Sequence, residues 1–341
     1  MTDNSKFKIQ NSKFSSERGV ALIMVLWIFM FLFVVAFDFS SSVREEGMAA
    51  QRYAEEGEGY YLALAGFQQG LYELLIHYPQ SRPGVAPPAD LFDGEWREAN
   101  LGEGHYSVRL VDETGKINLN RVDENTLRRI FTNLGVEEPR RTILVDSILD
   151  WRDEDDLHRI NGAESDYYLS LSPSYTARNG PFDTVGDLLW VRGVTPELFY
   201  GLEGQVGLIE IFTADSPMDR VNLRTAPAEV CVALLGLPLD RCRAFVGERK
   251  VLSEKTLADL VRLLGIAAGD AVLRQFVFTI PSVIAIEAKG QQGESVAQRQ
   301  VKGVVRMVGG QRGFELIRWV DRDTVTDKAL EASALGSAER S

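Results

Sequence analysis

The sequence predicts an α+β protein: a long N-terminal helix packed on a small antiparallel sheet, with a large all-α block inserted into that sheet. Three observations carry this expectation. Val20–Phe37 (VALIMVLWIFMFLFVVAF) is an uncharged apolar run, and apolar residues at three-and-four spacing continue beyond it to about Tyr78. Alternating, β-branched stretches occur at His105–Asp112 and again from Phe276 onward. Between them, from Lys116 to about Gly269, the pattern is helical and strand signals disappear.

The apolar run comes first. Its eighteen residues would span about 27 Å as a helix, roughly the hydrocarbon thickness of a bilayer. A core helix of a soluble domain keeps a polar face, and this run has none. Residues 20–39 are therefore expected to cross a membrane. Lys6, Lys8, Lys13 and Arg18 outnumber Asp3 and Glu17 ahead of the run. That bias holds the N-terminus in the cytoplasm and sends the rest across. The run is followed by DFSSSVREEGMAAQRYAEE, helical and charged, and no small-residue signal-peptidase site closes it. The apolar part thus stays attached. The small residue sits before it instead, at Gly19 next to Arg18, where a peptidase at the cytoplasmic face could remove residues 1–19 and leave the helix whole.

Residues 40–78 continue as an amphipathic helix, with Tyr53, Tyr60, Tyr61, Leu64, Phe67, Leu71, Leu74 and Leu75 recurring among charged residues. It ends before Pro79. Residues 79–112 hold a Pro/Gly-rich loop over Ser81–Ala99 and a first strand with Tyr106, Val108 and Leu110 on its apolar side. The inserted helical block covers 113–272. It contains an internal echo: Ile117-Asn-Leu-Asn120 leads into DENTLRRIFTNLG, and Val221-Asn-Leu-Arg224 leads into APAEVCVALLG. A related stretch, FDTVGDLLWVRGVTPELFYGL, carries the helix-start signals Asp183 and Thr195-Pro196-Glu197, with Gly193 between two short helices. These units resemble helix-hairpin-helix or SAM-like modules. Residues 273–322 return to strands: Phe276–Ala288, Ser295–Val308 and Phe314–Val320, separated by turns at Lys289–Gly293 and Gly309–Gly313. The tail, 323–341, is polar and Ala/Ser-rich and is expected to be disordered.

The chain carries 49 acidic and 37 basic residues, a net charge of −12. That balance argues against nucleic acid, whose phosphates need a basic face. Cys231 and Cys242 are the two cysteines. In an oxidising compartment they can pair as a disulfide; equally, they can be two buried thiols on neighbouring helices. No zinc-ligand spacing exists. The most charged segment is DWRDEDDLHRINGAESDYY, Asp150–Tyr168. Asp150, Asp153, Glu154, Asp155, Asp156, Glu164 and Asp166 crowd into it, offset in part by Arg152 and Arg159. Such crowding is repulsive unless cations compensate. Hard oxygen donors beside Asn161 and a flexible Gly162 suit Ca²⁺, although the spacing is not that of an EF-hand. The competing readings are a solvated acidic loop and, remotely, a carboxylate pair for acid–base catalysis. No His, Ser or Cys stands in a suggestive arrangement around it, so acid and base roles cannot be assigned.

The basic leader, Gly19, the apolar helix and its amphipathic continuation resemble the class III signal of type IV pilins and pseudopilins. The resemblance implies cleavage after Gly19 by a prepilin peptidase and N-methylation of Val20. Members of that family mostly carry Glu at the fifth mature position; here it is Met24. The missing Glu, together with Asp150–Asp156 (DWRDEDD), Asn161–Tyr168 (NGAESDYY), Asn179–Asp183 (NGPFD), Leu188–Pro196 (LLWVRGVTP) and Asn222–Ala226 (NLRTA), resembles the K minor pseudopilins of the type II secretion system. That likeness implies a type IV pilin-like fold with the helical domain inserted in its sheet, structural calcium in the acidic segment, the minor pseudopilins I and J as partners, a place at the tip of the pseudopilus, and the bacterial inner membrane as anchor. The rival reading is a membrane-tethered DNA receptor built on the helix-hairpin-helix-like units, with Arg192-Gly193-Val194 as its phosphate contact.

Overall fold

The computed structural model describes residues 15–78, 91–202, 204–251, 256–267, 270–293, 295, 298–308 and 313–322. The leader before residue 15, the Pro-rich stretch 79–90 and the tail 323–341 lie outside the described residues.

The chain divides into two units, Met1–Gly57 and Glu58–Ser341. In the first, the described residues belong to one helix, α1, which runs Ser15–His77. Its most apolar eighteen-residue window has a mean hydropathy of 3.0, and none of that window is buried against protein. Leu22, Trp27, Phe29, Phe31 and Phe33 stand exposed around the helix. The helix is long and apolar enough to cross a membrane.

The second unit is α+β. Its sheet has five antiparallel strands in the order β1-β2-β7-β8-β9: β1 Arg97–Leu101, β2 Gly104–Asp112, β7 Val283–Gln292, β8 Gln298–Met307 and β9 Phe314–Arg322. The end of α1 lies on one face. There Ala63, Phe67, Leu74 and Tyr78 bury themselves against Val108, Leu110, Ile284, Ile286, Ala288, Val301 and Val305. Glycine permits the close approach: a Cβ at Gly290 would collide with Gly59 O and Ala63 N, and one at Gly303 with the Phe67 ring. Phe67 and Trp319 complete that core edge to face, 4.8 Å between centroids.

Between the neighbouring strands β2 and β7 the chain makes a long excursion, residues 113–282, with its own core from Ile117 to Phe276. The excursion is a tandem repeat. In the first copy β3 (Ile117–Asn118) leads to α2 (Glu124–Asn133) and α3 (Arg140–Arg152), and later β4 (Phe212–Thr213) returns parallel to β3. In the second, β5 (Val221–Asn222) leads to α7 (Ala228–Leu235) and α8 (Leu239–Val251), and β6 (Phe276–Val277) returns parallel to β5. The backbone pairing repeats: Leu119 N donates to Thr213 O, and Leu223 N to Val277 O, each at 2.9 Å. A guanidinium on the second helix of each copy then clasps the turn. Arg152 donates to Leu119 O and Val122 O, and Arg249 to Leu223 O and Ala226 O. The closing parts match as well. Thr184 with Asp187, and Thr256 with Asp259, form capping boxes, followed by Gly193 and Gly265 at φ 87° and 73°. The intervening helices are α4 (Ser165–Leu169), α5 (Pro196–Tyr200), α6 (Leu208–Ile211) and α9 (Leu257–Leu264).

Several expectations need correcting. Arg97–Leu101 is an edge strand, not loop, so two strands precede the excursion. Phe276–Ala288 is not one strand. It breaks around Pro281, which has no N–H for a ladder, and β7 then runs on through the expected turn to Gln292. Strands do occur inside the helical block, as the two-residue pairs β3–β4 and β5–β6.

Ion pairs join the excursion to the sheet: Lys302 meets Glu113 at 3.4 Å and Arg318 meets Asp215 at 2.8 Å. Within the sheet, Arg109 and Lys302 meet Glu287 at 2.6 and 3.2 Å.

Candidate metal centre in the acidic loop

The acidic segment joins α3 to α4. α3 carries Asp150 in its last turn and Asp153 as its C-cap; Glu164 is the N-cap of α4 but makes no capping bond. The floor is aromatic. Trp151 packs edge-on to Tyr168 at 5.2 Å and stacks near Phe182 at 6.3 Å, and Tyr168 stacks on Tyr175 at 5.2 Å. A rigid apolar base thus fixes carboxylates emerging from either side of it.

Asp153, Asp155 and Glu164 each bring an oxygen within 4.8 Å of the other two. Glu164 is 1% exposed, and neither of its oxygens has a hydrogen-bond partner. Asp153 Oδ1 and Asn179 Oδ1 are buried and unbonded as well. Burying an unpartnered carboxylate costs several kcal/mol or forces it to take a proton. Burial, with Asp150, Asp153, Asp156 and Asp155 nearby, pushes Glu164 up to about 8. Asp150 rises to about 6, chiefly through burial and against a bond from Arg159 N. The donor set is carboxylate oxygen, which suits a hard cation such as Ca²⁺. These orphaned oxygens fit a cation that Asp153, Asp155 and Glu164 would hold.

The residues anticipated from sequence divide. Asp153, Asp155 and Glu164 come together. Asp150 is fully buried behind them; its Oδ2 accepts from Arg159 N at 3.0 Å, and Gly162 lies so close that a Cβ there would overlap this oxygen. It positions the loop. Asp156 accepts from Asn179 Nδ2 at 2.8 Å and so orients that amide. Asp166 faces solvent and accepts from Tyr167 N. Asn161 bonds Asp146 rather than joining the cluster. Arg152 points into the β3 turn, leaving Arg159 as the guanidinium that touches Asp150, at 3.4 Å. Asn179, which opens the NGPFD stretch but is not among the site residues anticipated from sequence, has a φ of 48°, the left-handed conformation Asn tolerates.

The remaining anticipated positions lie elsewhere. Gly19, Val20 and Met24 are on α1, with Val20 and Met24 exposed. Cys231 and Cys242 are free, buried thiols on α7 and α8.

Residues 109–209, which include the whole acidic segment, match the family model of type II secretion system protein K. That match lies within the second unit and covers under a third of the chain. It is 25% identical over 199 residues to the type II secretion system protein K of Klebsiella pneumoniae, covering 54% of this chain and 61% of the relative, less than two thirds of its length. Against the Pseudomonas aeruginosa protein of the same name it is 24% identical over 321 residues, 87% of this chain and 93% of that one. The fold is similar to a chain in the crystal structure of a GspK–GspI–GspJ complex from the enterotoxigenic Escherichia coli type 2 secretion system. The TM-score is 0.62 at 18% identity, over 82% of this chain and all of that one. The α+β architecture, a long helix on an antiparallel sheet with many further helices, is shared with that structure.

Proposed function

We propose that the chain is a membrane-anchored minor pseudopilin of a type II secretion system, placed at the tip of the periplasmic pseudopilus, where it initiates and caps the fibre. The observation that carries this is the insertion of residues 113–282 between two adjacent strands of the sheet. Subunits stacked along a fibre need the flank of each sheet free for the next subunit. A domain of this size on that flank leaves room only at an end. Met24 supports the same place: a subunit with none ahead of it has no neighbouring terminal amine to neutralise.

In this reading the exposed apolar helix holds the subunit in the bacterial inner membrane, N-terminus in the cytoplasm and the folded unit in the periplasm. A prepilin peptidase cuts after Gly19 and methylates Val20. The similar Escherichia coli chain was solved in complex with GspI and GspJ; by that likeness the partners here are I- and J-type minor pseudopilins. The cation at Asp153, Asp155 and Glu164 is structural calcium, and no catalytic step is involved. The DNA-receptor reading loses its phosphate contact: Arg192 donates to Gly162 O and lies over the Tyr167 ring, and Arg140 donates to Gly193 O and Thr195 Oγ.

The test is Gly19→Leu in the full chain. Leader removal, followed on a gel, and export of the secreted proteins both stop. Continued processing and secretion would overturn the reading.

A further inference from the structure

The chain's two cysteines occupy matching places in consecutive helices. Cys231 is the fourth residue of α7 and its N–H donates to Pro227 O; Cys242 is the fourth residue of α8 and its N–H donates to Pro238 O. Each proline starts a helix, so each thiol is held one turn inside a fixed N-terminus. Both side chains are fully buried in the same core, on two helices that pack against each other, and each thiol shifts the other's acidity.

We infer that Cys231 and Cys242 form an intramolecular disulfide in the mature protein, stapling α7 to α8 in the second repeat. The inference rests on the proposed periplasmic location, since that compartment supplies the oxidant, a protein or small-molecule disulfide. The chemistry is two exchanges. One cysteine thiolate attacks a sulfur of the oxidant, forming a mixed disulfide and releasing the other oxidant sulfur as a thiolate. The second cysteine, as its thiolate, then attacks the protein sulfur of that mixed disulfide and expels the remaining oxidant sulfur. Two protein thiols become one disulfide, and the oxidant takes up two electrons and two protons. Cys242 is the better first attacker. The neighbouring Cys231 lowers its pKa below the ordinary thiol value and so makes it the more acidic thiol, whereas Cys242 and burial hold the pKa of Cys231 well above. Burial of both sulfurs places the reaction before α7 and α8 close on each other.

The test uses the full chain, taken from its membrane into detergent after free thiols are blocked. A polyethylene-glycol maleimide then labels the denatured protein with and without prior reduction. Two labels only after reduction are expected, together with a fall of about 5–10 °C in melting temperature when native protein is reduced. The Cys231→Ala/Cys242→Ala double variant loses that sensitivity to reductant, whatever its own stability. Thiols already blocked before reduction overturn the inference. In that event, refolded reduced chain treated with glutathione disulfide tells why. Closure with loss of two mass units means the geometry is right and the compartment wrong; stable mixed disulfides mean the geometry is wrong.

Discussion

The two halves of the inserted domain share a scaffold and differ in what hangs from it. Both use an apolar-Asn-Leu turn, a two-residue parallel strand pair, two helices and an arginine clasp. After the second helix the first copy runs through residues 153–183 before its capping-box Thr184, whereas the second reaches Thr256 within a few residues of Val251. The added stretch is the acidic loop. Conserving a frame while lengthening one connection is how a fold gains a site without risking its core. The first copy therefore carries the acidic cluster, and the second shows what the frame looks like without it. Their attachments differ too. The first meets the sheet through charges, Glu113 on Lys302 and Asp215 on Arg318. The second meets it through neutral donors, with Asn222 and Thr225 bonding the buried Asp112 carboxylate.

The clasps should break unequally. Arg249 is 6% exposed, whereas Arg152 is only half-buried. Arg249→Met strands Leu223 O and Ala226 O in a dry core and should cost about 3–4 kcal/mol by denaturant unfolding, with Arg152→Met costing about half of that because Arg152 lies nearer solvent, which can replace its bonds. Equal losses would mean that the two clasps are not equivalent devices. The loop gives the next largest effect, and its sign depends on the cation. In chelator, Glu164→Gln removes one of the crowded carboxylates and should raise stability by about 1 kcal/mol; in millimolar calcium the same change should lower it by about as much or more. Chelation of the native chain should lower its melting temperature and speed hydrogen exchange in α3 and α4 while leaving α7 and α8 unchanged.

Sequence showed part of this. The repeat was visible in Ile117-Asn-Leu and Val221-Asn-Leu because a buried Asn between apolar residues is rare enough to notice twice. Its partner strands were not, because Phe212–Thr213 and Phe276–Val277 are too short to show any period. Asp183 reads as a helix start one residue before the capping-box Thr184, whereas Thr256/Asp259 carries no such reading, and the 3-10 form of the first hides their equivalence. In the site, composition found Asp153, Asp155 and Glu164, since like charges crowd only for a reason. It could not separate them from Asp150 and Asp166, a distinction set by which way the end of α3 and the start of α4 face. Arg152 was misread for the same cause: next to acids in sequence, it turns to backbone carbonyls 30 and 33 residues upstream.

Acid should separate the two attachments. Burial alone would raise Glu287 and Glu113. For Glu287, Lys302 and Arg109 outweigh it; for Glu113, Lys116 and Lys302 do, so both lie below the ordinary glutamate value of 4.5. A carboxylate depressed in the folded state contributes stability above its unfolded value, and that contribution fades as pH falls below about 4.5. Asp112 behaves oppositely: burial outweighs its bonds from Thr225, Thr114 and Asn222 and raises it, so acid does not loosen it. Burial raises Asp215 too, against Arg318, so within the first attachment acid acts through Glu113. Hydrogen exchange at pH 3–4 should thus rise at Leu119 and its neighbours in the first copy before it rises at Leu223 in the second. Simultaneous release would show that the neutral contacts add nothing of their own.

The smallest expected effect is also the cleanest comparison. Gly193 and Gly265 hold the same left-handed turn in the two copies. Alanine at either pays for the positive φ, about 1 kcal/mol. The surroundings then differ. A Cβ at Gly193 would meet Leu144 Cδ2 at 3.2 Å, on α3 beneath the loop, whereas among the described residues a Cβ at Gly265 meets nothing within 4 Å. Leu144 is fully buried and cannot move without disturbing the helix whose end sets Asp150 and Asp153. Gly193→Ala should therefore cost a few tenths of a kcal/mol more than Gly265→Ala, and it alone should weaken calcium binding measured by titration calorimetry. If both alanines leave the calcium affinity unchanged, the acidic loop is insulated from the frame that carries it, and the two copies are coupled only through their shared core.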